Sequence, residues 1–251
     1  MRIPLIVALL LAAGGAPAAE PTDAEIQGRQ IVQQLLEQRA TENYTNTGVL
    51  QIRGADGKTT KIPVRCEIQV TDMGWQTAYL AGGTNATARL YIIHTPGRAN
   101  EYYYSTTQQE GPVKGNRPRG PQLTAGETMT AFAGSDFWIA DLGLEFLQWP
   151  QQKLLKKEVK RSQGCCVLES SNPNPAANGY ARVVSWIDSE SGGIVQAFAY
   201  DAKGQLLKEF YPEDFQKVGR QWRVGTMEMD NDRTDSKTRL KFNLDDGSPK
   251  K

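Results

Sequence analysis

The chain has 251 residues, a formal charge of +1, 39% hydrophobic residues and 23% charged ones. So even a charge balance argues against nucleic acid as the main partner, and the length suits one large domain or two small ones. No low-complexity tract or internal repeat stands out.

The first residues, Met1-Arg2-Ile3-Pro4, precede an apolar run from Leu5 to Leu11 and the small-x-small triplet Ala16-Pro17-Ala18. This is the layout of a signal peptide cleaved after Ala18. The apolar run is shorter than the roughly 20 residues that span a bilayer. The expectation is export to the periplasm and one mature domain, 19–251.

Thr22-Asp23-Ala24-Glu25 forms a capping box that opens an amphipathic helix over 23–40, with Ile31, Val32, Leu35 and Leu36 on one face. The period then changes to two. In 61–70, Ile62, Val64, Cys66, Ile68 and Val70 face one side, and Lys61, Arg65, Glu67 and Gln69 the other. The turn Ala55-Asp56-Gly57-Lys58 joins this strand to 48–53 as a hairpin. Further strands are expected at 74–81, 88–95 and 100–106. A proline- and glycine-rich loop follows at 111–126. Residues 134–149 change register again: Phe137, Trp138, Leu142, Phe146 and Leu147 fall at helical spacing, so one or two short helices should end near Pro150. Strands then resume at 153–162, 164–171, 179–188, 193–200, 205–212, 221–229 and 236–244. The fold class is mainly β: an open antiparallel β-barrel, or half-barrel, of about ten or eleven strands, covered by the N-terminal helix and short lid helices.

No constellation for catalysis emerges. The single histidine, His94, has no partner in motif spacing. Nucleophile-elbow, phosphate-loop and zinc-ligand patterns are missing, so neither an enzyme nor a metal or other cofactor is expected. Asp230, Asp232 and Asp235 lack the glycine and terminal glutamate of a calcium loop and read as a solvated turn. The basic run Lys153–Arg161 reads as a charged edge face, or as a surface for anionic headgroups or an acidic partner. Three cysteines permit one disulfide. Cys165 and Cys166, adjacent in a strand, point to opposite faces and cannot pair with each other, so a bridge would join Cys66 to one of them; three buried thiols are the alternative. Cys66 itself is expected to be buried.

Several ordered pieces carry a family resemblance. They are Gly134-Ser135-Asp136-Phe137 with Asp141-Leu142; Gly164-Cys165-Cys166-Val167-Leu168-Glu169; Gly179-Tyr180 through Trp186-Ile187-Asp188; Tyr200-Asp201-Ala202-Lys203-Gly204-Gln205-Leu206-Leu207-Lys208; and Met227-Glu228-Met229 with Thr238-Arg239-Leu240. Together the C-terminal half resembles the outer-membrane lipoprotein-sorting family, the LolA/LolB-like proteins, in its less characterised branch. Cys166 departs from the pattern, which has an aromatic residue there. The resemblance implies an open antiparallel barrel with helices over a concave apolar face, a periplasmic role in carrying lipid or lipoprotein acyl chains, and a link to an inner-membrane exporter. The alternative is an adaptor or sensor that binds an envelope protein and needs no cavity. If a cavity exists, Leu50, Ile52, Val64, Ile68, Trp75, Phe137, Trp138, Leu142 and Phe146 are the expected lining.

Overall fold

The computed structural model describes residues 20–82, 87–106, 120–218 and 221–244. The expected signal peptide and part of the proline-rich loop lie outside them. The order is α1 (Asp23–Leu36), β1 (Tyr44–Arg53), β2 (Thr59–Thr71), β3 (Gly74–Ala81), β4 (Ala88–His94) and β5 (Glu101–Ser105). A 3-10 turn (Phe132–Gly134), α2 (Ile139–Leu142) and a second 3-10 turn (Glu145–Gln148) come next. The chain closes with β6 (Gln151–Lys160), β7 (Gln163–Ser171), β8 (Arg182–Asp188), β9 (Ile194–Tyr200), β10 (Leu206–Val218), β11 (Gln221–Asn231) and β12 (Ser236–Asn243).

Twelve strands, rather than ten or eleven, form one open antiparallel sheet in the order β5-β4-β3-β2-β1-β12-β11-β10-β9-β8-β7-β6. The first and last strands pair in its middle, with Leu50 opposite Leu240. The two free edges, β5 and β6, are therefore consecutive in sequence. Their connection, 106–150, has to travel from one edge of a curved sheet to the other. Among its described residues, Leu123 lies along the β5 edge, its N–H donating to the Tyr102 carbonyl at 2.8 Å. The connection then crosses the apolar face as the segment of short helices. Topology makes this segment a lid.

Two expected boundaries move for local reasons. The helix stops at Leu36 instead of residue 40, because Glu37-Gln38-Arg39 offer nothing to bury and packing is what sustains a short helix. Strand β10 passes Pro212 instead of ending there. The missing N–H is absorbed by register shifts at Pro212/Asp214 and Asp214/Phe215, the bulge that a proline within a strand calls for.

The capping box forms as expected: Thr22 N–H donates to Glu25 Oε2 at 2.7 Å, and Glu25 N–H donates to Thr22 Oγ1 at 3.4 Å. The apolar stripe of α1 divides. Val32 is buried in the core, Ile31 and Leu35 are half-buried, and Leu36 is 41% exposed. The reason is position. Gly28 faces the backbone of the edge strand β6, where a Cβ would lie 2.6 Å from Lys153 N. The helix thus rests on the rim of the sheet, and Leu36 finds no surface under it.

The core has two parts. Leu50, Val64, Leu90, Ile92 and Leu240 of β1, β2, β4 and β12 close around Phe132, Phe137 and Ile139. Leu168, Val183, Ile187 and Ala197 of β7–β9 close around Phe146, Leu147, Trp149 and Val32.

The cysteines follow one of the two alternatives that the sequence leaves open. All three are free thiols, with Cys66 and Cys165 buried and Cys166 half-buried. Strands β2 and β7 stand seven places apart in the sheet order. At about 4.8 Å per strand no disulfide spans that gap. Three of the five cations in the basic run have contacts within the protein. Lys156 pairs with Glu158 at 2.8 Å, Lys160 lies over the Trp186 ring, and Arg161 lies over Tyr211 and donates to the Pro212 carbonyl. Asp230 pairs with Lys237 at 3.1 Å. Its neighbours Asp232 and Asp235 belong to the β11–β12 turn.

Candidate ligand site on the concave face

Asp136 anchors the lid. Its Oδ1 accepts from Ser236 Oγ at 2.6 Å and Asn231 Nδ2 at 3.1 Å. Its Oδ2 accepts from Thr238 Oγ1 at 2.7 Å, and its N–H donates to the same hydroxyl at 2.9 Å. A buried carboxylate needs this many donors to stay in place. Asp141 is the second anchor. Its Oδ2 accepts from Trp138 N–H at 2.7 Å, starting α2, and from Tyr180 Oη at 3.2 Å.

Lys208 reaches up from β10 to join both. It is 1% exposed, donates to the Asp136 carbonyl at 2.6 Å and lies 3.4 Å from Asp141 Oδ2. The Trp138 ring stacks on Tyr180 at 4.5 Å and faces the ammonium. Burial pulls the Lys208 ammonium down to about 8, against the Asp141 carboxylate, which favours the charge. Burial, and then the Asp141 charge, push the Tyr180 phenol well above its ordinary range.

A further tie holds the lid to the β4–β5 edge. Asn100 Nδ2 donates to the Gly143 carbonyl at 3.0 Å, and Asn100 N–H donates to Gln148 Oε1 at 2.9 Å. That orientation turns Asn100 Oδ1 toward His94 Nδ1 at 3.0 Å, so Nδ1 carries the proton and Nε2 accepts from Thr77 Oγ1 at 3.2 Å. The imidazole stacks on Trp75 at 4.6 Å, and burial lowers it to about 4. This histidine is a neutral structural group.

Beside the Lys208 knot is an apolar cavity of about 40 Å³. Leu144 and Phe146 of the lid form one wall, Val183, Ile194, Ala197 and Ala199 the floor, and Phe210 and Met229 the far side, with Asp141, Tyr180 and Lys208 at the polar end. The floor is low where β9 presents Ala197 and Ala199, the first of them opposite the equally small Ser185 of β8. No backbone ladder joins the lid segment 132–149 to the sheet among the described residues.

The expected lining residues scatter. Phe146 lines this cavity. Trp138 packs on the same core part. Leu50, Val64 and Phe137 are fully packed in the other part, with Ile52 and Leu142 against it. Ile68 and Trp75 are half-buried and belong to neither part. The polar residues Asp136, Asp141, Tyr180, Lys208 and Thr238 form no recognisable ligand or catalytic motif along the chain, although all of them sit in segments that carry the family resemblance. Strand alternation, read one step further, also places Ala197 and Ala199 on one face.

A family model described as an uncharacterized protein matches residues 119–245, about half of the chain. No curated protein matches it. Among solved structures, a DUF1329 family protein from Desulfovibrio piger is similar with a TM-score of 0.69 at 16% identity, over 88% of this chain and 92% of that one. An outer membrane lipoprotein-sorting protein domain from Vibrio parahaemolyticus gives 0.69 at 19% identity over the same shares. A LolA superfamily protein from Nitrosomonas europaea gives 0.58 at 14% identity, over 86% and 91%. At these identities the likeness establishes the fold.

Proposed function

We propose that this chain, which belongs to the family whose model matches residues 119–245 and has a LolA-like fold, binds and carries an acyl chain of a lipid or lipoprotein in the periplasm, held between the concave sheet and the lid. The observation that carries this reading is the alanine floor of β9 beneath Phe146, an apolar pocket under a segment that can lift without breaking any strand pairing. The cavity as it stands, about 40 Å³, holds a few water molecules, whereas ligand pockets run from about 300 Å³ upward. Binding therefore requires the lid to rise, and the ties to Asp136, Asp141 and Asn100 set the cost of that motion. The energy comes from burial, about 0.8 kcal/mol per CH₂; no bond is made or broken, and the protein is no enzyme. An inner-membrane exporter is the fitting donor for such cargo. The small closed volume favours one rival: an adaptor that uses the same fold to bind an envelope protein without a ligand.

Titration with a fluorescent fatty acyl probe tests the reading. Wild type should bind it. Ala197→Leu should fill the floor and abolish binding, at an overpacking cost of about 1–3 kcal/mol. Failure of wild type to bind the probe, together with a lipid-free mass in native mass spectrometry after detergent-free purification, would favour the adaptor.

A further inference from the structure

Three groups converge on one oxygen at the polar end of the apolar cavity. Asp141 Oδ2 accepts from Trp138 N–H at 2.7 Å and from Tyr180 Oη at 3.2 Å, and it lies 3.4 Å from Lys208 Nζ. Trp138 and Asp141 belong to the lid. Tyr180, just before β8, and Lys208, in β10, belong to the body beneath it. Asp141, Tyr180 and Lys208 all line the cavity.

The lid is tied most heavily at Asp136, whose carboxylate is held by Ser236, Asn231 and Thr238 of β11 and β12. Among the described residues, the Asp141 carboxylate is held from outside the lid only by Tyr180 and Lys208. When α2 lifts, Lys208 therefore keeps the Asp136 carbonyl and loses the carboxylate within ion-pair distance. Its ammonium is 1% exposed in the closed form, and a cation in such a place without a counter-charge is costly. The Asp136 carboxylate is already occupied by its own donors, and Arg233, a further charge that acts on Lys208, is a second cation. Tyr180 loses its acceptor in the same movement.

The register of the sheet gives this end a direction. Lys208 stands opposite Ala199, and Phe210 opposite Ala197. The alanine floor thus leads away from the ammonium along β9, and a linear ligand laid on it has one end at Lys208.

We propose, resting on the acyl-carrier reading, that the ligand is an anionic lipid whose carboxylate or phosphate takes the place of the Asp141 carboxylate on Lys208 and Tyr180. One anionic oxygen then stands where another stood, the charge of the site is kept, and Asp141 passes to water. Charge-assisted hydrogen bonds of this kind are the strong ones. An acyl ester or amide brings a carbonyl but no charge, and leaves the ammonium unpaired. A cationic amphiphile adds a second positive charge to the first.

Calorimetric titration at neutral pH with decanoate, decyl phosphate, decanol and decylamine, each below its micellar concentration, tests this. The better of the two anions should bind roughly tenfold more tightly than decanol, the worth of one charge-assisted hydrogen bond, and decylamine should bind most weakly. Which anion is preferred tells a fatty acid from the phosphate of a lipid headgroup. Lys208→Met should lose the preference for an anion and still bind decanol. Asp141→Asn removes the competing charge while keeping an oxygen acceptor, so it should widen the preference, and it answers the question even if circular dichroism shows Lys208→Met to be unfolded. Equal affinity of wild type for the anions and decanol, or a preference unchanged in the folded variants, would overturn the anionic head and leave acyl carriage standing. Binding of none of the four would overturn acyl carriage and this inference with it.

Discussion

The ammonium of Lys208 sits 3.6 Å from the centre of the Trp138 ring, beneath the lid that this tryptophan helps to form. One cation on β10 thus meets a ring, a carbonyl and a carboxylate of the segment that crosses the concave face. Sheet and lid are joined here by electrostatics, in a place where hydrocarbon alone would suffice to fill space.

That lysine leaves a mark on stability. Its ammonium is lowered to about 8 in the folded protein, so between pH 8 and 10.5 the unfolded chain binds the extra proton. Stability contributed by this group therefore rises with pH across that window, by roughly 3 kcal/mol in all. Urea unfolding of wild type and Lys208→Met at several pH values should show the difference between them growing in favour of wild type as pH rises. A constant difference would mean that the ammonium is not desolvated.

His94 acts at the acid end with the same sign. Its imidazole is lowered to about 4, so the unfolded chain takes up the proton first as pH falls below 6.5. Stability should drop by roughly 3 kcal/mol between pH 6.5 and 4. In His94→Gln that component should vanish. Because Asn100 passes the contact on to Gly143 and Gln148, hydrogen-exchange protection factors in 143–148, corrected for the intrinsic pH dependence, should fall over the same pH range in wild type.

Trp138 is half-buried and held by Tyr180 on one side and Lys208 on the other. Trp138→Ala removes one ring stack and one cation–π contact, together about 2 kcal/mol beyond the apolar area that the half-buried ring covers, so the loss should fall at the low end of the roughly 3–5 kcal/mol of a packed core aromatic. Calorimetry should show this modest loss, and uptake of the fluorescent acyl probe should weaken more than the stability change explains.

Gly28 carries the close approach of α1 to β6. Gly28→Val inserts a side chain where backbone already lies and should cost about 1–3 kcal/mol. Limited proteolysis should then cut within residues 23–36 before the sheet is attacked.

The thiols give a simple count. Denatured, unreduced protein should titrate three, and native protein should react quickly at Cys166 alone. Burial pushes the Cys66 thiol up to about 12, which removes it from thiolate chemistry at neutral pH.

What this sequence determined by itself is what short windows can encode. The Thr22–Glu25 box starts a helix, alternation through 61–70 makes a strand with Val64 and Cys66 inward, and Asp-Gly at 56–57 turns a hairpin. Each depends on residues a few positions apart. The ordered pieces around Asp136, Tyr180 and Lys208 also made the family resemblance legible, but not their chemistry. That was decided by the tertiary structure alone. Asp136 meets Thr238 across 102 residues and Lys208 across 72, and these contacts exist only because β1 pairs with β12 and leaves β5 and β6 as edges. The same order selects the location of the cavity. Many positions in this chain have an apolar side chain on an inward face. At Ala197 and Ala199 small side chains coincide with Leu144 and Phe146 of the lid at a cavity, and that coincidence depends on how distant strands and the lid come together.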